Sequence, residues 1–209
     1  MTEPVRTRRL TRTRALLAGG LVLGTGATAT LAAWTDGEVA TGTFGTSVFD
    51  TVSTSAGTTV GSHPTAPGAS LTFAATAMSP GVSAYAWLNV NTTAATTISG
   101  SMSLTLVKAT DTSGVALSTY LQYRIVQLAT ASTTCAAASF TGSPTWVTPA
   151  NTYTNVAAAL PTTTAIALAS GGTAEKRLCI EVQLAPTATS DRQGQTANIQ
   201  WTFTATSTS

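Results

Sequence analysis

Three observations predict an all-β fold, a two-sheet β-sandwich. Only 9% of the residues are charged, and the polar remainder is heavily Thr and Ser. Long Lys and Glu side chains, which solvated helices use, are almost absent, so composition favours Thr-rich strands. Apolar residues recur at every second position in four separate segments, the period of a strand with one buried face. Ser79-Pro80-Gly81, Thr112-Ser113-Gly114, Gly142-Ser143-Pro144 and Gly171-Gly172 punctuate these segments as turns. Strands that each carry one apolar face must pair those faces, which requires two packed sheets.

The chain opens on a different pattern. Arg6, Arg8, Arg9, Arg12 and Arg14 make up half of its 10 Lys and Arg residues. An uncharged run follows from Ala15 through Leu23, and no charge returns before Trp34. Basic, then apolar, then small residues is the layout of a secretory signal, expected over residues 1–32 with a cut between Ala32 and Ala33. An uncleaved membrane anchor is the alternative, but residues 24–30 are Gly, Thr and Ala and only weakly apolar for a span. Without residues 1–32 the chain carries 5 basic and 7 acidic residues. It has no basic stripe to hold phosphates, so nucleic-acid binding is not expected. Export implies an extracellular or surface-attached protein that meets the membrane only in passage.

After the signal come an N-terminal segment, 33–50, and a Ser-, Thr-, Gly- and Pro-rich stretch, 51–69, that reads as a flexible loop. The sandwich is expected over 70–209. Its first strands are 71–77 and a segment with Val82, Ala84, Ala86, Leu88 and Val90 on one face and Ser83, Tyr85, Trp87 and Asn89 on the other. Ile98, Gly100, Met102, Leu104 and Leu106 form the next apolar face, and 121–128 is a further strand. The Ala-rich residues 156–160 are expected to form a short helix. Leu178, Ile180, Val182 and Leu184 share a face, leaving Cys179 opposite, and Ala197, Ile199, Trp201, Phe203 and Ala205 complete the set.

Cys135 and Cys179 are the two cysteines, both beyond the signal. An even pair in an exported chain predicts a disulfide, clipping a loop across the outside of the sheet; two buried free thiols are the alternative. Residues for chemistry are scarce. His63 is the single histidine and sits beside Pro64 in the expected loop, without a second metal ligand nearby. Asp36 and Glu38 lie near the mature start, Asp111 is placed to cap a turn, and Glu175 and Glu181 belong on or beside a strand's solvent face. No metalloprotease helix, nucleophile elbow or phosphate-binding glycine loop is present. The expectation is no catalytic residue, no metal, no cofactor and no small-molecule substrate.

Ala33-Trp34-Thr35-Asp36 follows the signal's small residues, and Gly42-Thr43-Phe44-Gly45-Thr46 comes shortly after. Met78-Ser79-Pro80-Gly81 precedes the segment from Tyr85 to Asn91, and an aromatic strand closes the chain. In this order these segments resemble the family of alternate-signal exported proteins that includes TasA and camelysin, on its actinobacterial side. Ser47-Val48-Phe49-Asp50 departs from the family's second motif. The resemblance implies a jelly roll, cleavage by a dedicated SipW-type signal peptidase, and a homopolymeric surface or matrix fibre or pilus. Each subunit would donate its N-terminal strand, with Trp34, Val39 and Phe44 as apolar residues, to the next. The same segment folding back on its own subunit is one alternative, and a monomeric adhesion module using Tyr85 and Trp87 is another.

Overall fold

The computed structural model describes residues 14–17, 40–73 and 78–208. The chain divides into two units, Met1–Phe44 and Gly45–Ser209. In the first, residues 14–17 form one helical turn and 40–44 are irregular and exposed. The signal peptide, the cleavage residues Ala32 and Ala33, and Trp34 and Val39 lie outside the described residues. No helix among them is long and apolar enough to cross a membrane.

The second unit is the antiparallel two-sheet β-sandwich. Its strands are β1 (Thr51–Ser55), β2 (Thr58–Gly61), β3 (Ser83–Thr92), β4 (Gly100–Asp111), β5 (Leu121–Leu128), β6 (Thr145–Trp146), β7 (Thr154–Asn155), β8 (Ile166–Leu168), β9 (Lys176–Leu184) and β10 (Ala197–Ser207). The larger sheet runs β2-β1-β3-β9-β5, with β6 and β7 both pairing β5, and the smaller runs β10-β4-β8. The chain crosses from the larger sheet to the smaller between β3 and β4 and back between β8 and β9, pairing β3 with β9 and β4 with β8. The core between the sheets holds Leu88, Val90, Met102, Leu104, Ile125, Leu178 and Ile180, all buried.

Several expectations are corrected. The sandwich begins well before residue 70, because 51–61 is a hairpin rather than a flexible loop. Its two-residue turn is Ala56-Gly57, and β1 pairs with β3 from Thr51↔Thr92 to Ser55↔Leu88. Thr and Val at alternate positions suit a strand as well as a loop, and the ladder to β3 decides for the strand. Residues 48–50 are also built in: Thr93 and Thr97 donate their N–H groups to Asp50 O and Val48 O at 3.0 and 2.9 Å. Phe49 packs against the core.

Residues 156–160 form no helix. Val156 donates its N–H to Leu121 O at 3.0 Å and buries its side chain in the core. Too few residues then remain before Pro161 to nucleate one.

Leu106 does not share the face of Met102 and Leu104. Thr202 pairs Leu106 and Phe203 pairs Leu104, so Thr105 is an extra, bulged residue. Beyond it the inward positions become Val107 and Ala109, and Leu106 is turned out, 48% exposed.

Gly100 starts β4 where the sheet admits no side chain. A Cβ there would meet Thr206 O at 2.4 Å and the Phe49 ring at 2.6 Å. We expect Gly100→Ala to cost about 2–3 kcal/mol by overpacking, read as a lowered urea midpoint. An unchanged midpoint would mean that β4 and β10 can separate at this end.

Candidate functional site

The edges of the small sheet define the site. β10 pairs β4 along all of its 11 residues and has no strand on its other side among the described residues. Its inward residues Ala197, Ile199, Trp201, Phe203 and Ala205 pack against the core yet stay half-buried. Met102 and Leu104 opposite them on β4 are 6% and 2% exposed. Between the β10 edge and residues 62–73 lies a cleft of about 1810 Å³ among the described residues. Leu88, Val90, Met102, Leu121, Val182 and Leu184 form its apolar floor. An open edge presents unpaired N–H and C=O groups, and here it stands over incompletely covered apolar side chains. Together they leave a strand edge beside apolar surface that is only partly covered among the described residues.

Polar donors are gathered at the same place. Three buried side-chain atoms lack a hydrogen-bond partner among the described residues: Trp201 Nε1, Arg192 Nε and Tyr123 Oη. Trp201 and Arg192 line the cleft, and the Tyr123 ring meets Trp201 edge-on at 6.3 Å. Burial pushes the Tyr123 phenol up to about 12. His63, expected as a loop residue, is half-buried in the cleft wall with Nδ1 3.0 Å from Ser53 Oγ. Asp111 does cap a turn: it accepts the Ser118 N–H at 2.8 Å and its hydroxyl at 2.6 Å, and these bonds hold its carboxyl below the ordinary value.

The outer face of the large sheet carries a second cluster, which corrects the placement of Glu181 on a solvent face. Glu181 is 1% exposed. It accepts from Arg124 Nε at 2.5 Å, the Tyr153 hydroxyl at 2.7 Å and the Tyr85 hydroxyl at 3.3 Å. Arg124 in turn lies 4.8 Å from the Phe140 ring and 4.5 Å from that of Tyr153. Cys135 and Cys179 are joined by a disulfide, Cα–Cα 5.2 Å, beside Val126, Leu128 and Phe140. The bond thus lies on the outer side of the sheet, within a small core of its own. Trp87 sits under the Arg177 guanidinium at 4.2 Å, and Tyr85 packs on Phe140 at 6.0 Å. Both aromatics of the adhesion alternative are engaged in packing.

Of the expected donor residues, Phe44 alone is described, and it is 95% exposed. No group of three His, Cys, Asp or Glu side chains able to hold a metal occurs among the described residues. Sequence reasoning found the inward face of β10 but missed the cleft beside it. The only local signal was an apolar face with Trp201 and Phe203 on it, and edge position depends on strand order, which is non-local. No family model and no curated protein matches the chain.

Proposed function

We propose that the chain is an exported, non-enzymatic structural subunit of a surface or matrix fibre, assembled by strand addition between copies. The observation that supports this most is the 11-residue open edge of β10 over the apolar cleft. Residues 33–44 of one copy enter the cleft of the next; the segment has 12 residues and so matches the edge in length. It pairs its backbone with β10 and covers the half-buried side chains. A head-to-tail contact of this kind does not close and propagates as a filament. The resemblance to TasA and camelysin supports the same reading.

Deleting residues 33–42 from the mature chain tests it. We expect the intact mature protein to form filaments by electron microscopy and the deleted one to stay a folded monomer. An intact chain that remains monomeric at every concentration, with the deletion unfolding it, would show that the segment completes its own sandwich.

A further inference from the structure

Resting on that reading, we propose that the cleft recognises the incoming segment by its carboxylates, Asp36 and Glu38, as well as by its apolar residues. The alternation of the segment demands this. Trp34, Asp36, Glu38, Ala40, Gly42 and Phe44 share one parity, whereas Val39, Thr41 and Thr43 share the other. A strand that points Phe44 into the cleft therefore points Glu38 and Asp36 inward too, and turns Val39 out. A wholly apolar groove would reject those carboxylates, because burying an unpaired charge costs several kcal/mol.

This cleft is not wholly apolar. The unpartnered Nε of Arg192 and Nε1 of Trp201 are both donors, suited to carboxylate or carbonyl oxygens. Arg192 and His63 line the cleft, with Asp50 as its one acidic lining residue among the described residues; Lys108, at its rim, pairs Gln200 and faces the other side of the sheet. Arg192 is held by Asp191 at 3.5 Å and stacks over Tyr120 at 5.1 Å, which fixes its head without using Nε. The donor segment carries two acidic and no basic side chains; cleavage before Ala33 adds an α-amino group three residues from Asp36.

Arg192 also gives the segment a direction. Arg192 precedes the first residue of β10, Ala197, and lines the cleft at that end of the strand. Carboxylates at that end and Phe44 toward Phe203 lay the incoming strand parallel to β10. Six residues separate Glu38 from Phe44 and Ala197 from Phe203 alike, about 20 Å of strand.

The test is the critical concentration for filament formation of the mature chain, measured by sedimentation. Glu38→Lys is expected to raise it about tenfold, and Arg192→Glu likewise. Combining the two should restore most of the loss, which a purely structural role for Arg192 would not allow. Arg192→Gln, which removes the charge without reversing it, repeats the measurement should Arg192→Glu fail to fold. Raising salt to about 0.5 M should weaken wild-type assembly several-fold. Filaments with an unchanged critical concentration in Asp36→Asn/Glu38→Gln and in high salt would overturn the inference and leave the strand-addition reading intact. A wild-type chain that never assembles, at any salt, would overturn both.

Discussion

Replacing Glu181 by alanine is expected to remove about 3–5 kcal/mol of stability, since it breaks a buried ion pair from one side. Glu181 lies on β9, which has β3 and β5 as neighbours, under a lid made of Phe140, Trp146 and Tyr153. With the carboxylate gone, the Arg124 guanidinium keeps its charge at 16% exposure, and the Tyr153 and Tyr85 hydroxyls lose their acceptor. Glu181→Gln keeps the volume but leaves the same charge uncompensated, so it should fall between alanine and wild type. Replacing both partners, as in Arg124→Met with Glu181→Leu, should cost less than the two single changes added together. Urea titrations of the four proteins make the comparison; additive losses would mean that the pair is not coupled.

The same carboxylate sets an acid limit. Burial pushes Glu181 up, but hydrogen bonds from Arg124, Ser83 and Tyr153 outweigh it and hold its carboxyl below the ordinary value. The folded state therefore binds this proton less readily than the unfolded chain does. Its stabilisation is complete above the unfolded value, near 4.3, and is lost as pH falls through the lower folded one. Glu181→Gln should be less stable at neutral pH and lack this component of the acid-dependent decline.

This cluster also shows how far the sequence could be read. Alternation placed β3, β9, β10 and the first half of β4, because each turns one apolar face to the same core. It failed where a second face is buried as well. β9 buries Leu178, Ile180 and Val182 on the inner side and Cys179 and Glu181 on the outer. The outward apolar residues Val126 and Leu128 on β5, with Tyr85 and Trp87 on β3, were the available sign of an outer layer. Their convergence with Phe140 and Trp146 depends on chain that is distant in sequence. The bulge at Thr105 was similarly hidden, since Leu104 and Leu106 keep perfect alternation and only the β10 ladder reveals the extra residue. The cleft has the same difficulty: Trp201 reads as a core residue, and its exposed edge follows from which strand lies beside β10.

Losing the Cys135–Cys179 bond is the other large effect expected. The bond closes a loop of 44 residues, worth about 4 kcal/mol in the chain-entropy model. For a unit of this size that is a fall in melting temperature of roughly 10 °C. The two serine variants should not be equal. Cys179 is 0% exposed among Val126, Leu128 and Phe140, so a serine hydroxyl there is buried without an assured partner. Cys135 is only half-buried, and its serine can reach water. Cys179→Ser should therefore lose about 1–2 kcal/mol more than Cys135→Ser, although both remove the same cross-link. Reducing the wild type should bring it close to Cys135→Ser and leave both variants unchanged. The consequence reaches the Arg124–Glu181 pair, because Cys135 precedes the 3-10 turn Ala137–Phe140 whose Phe140 covers Arg124. Untethered, that turn exposes the ion pair to water, and Glu181→Ala should then cost less in Cys135→Ser than in the oxidised wild type. Equal costs in the two backgrounds would show that the lid holds without its bond.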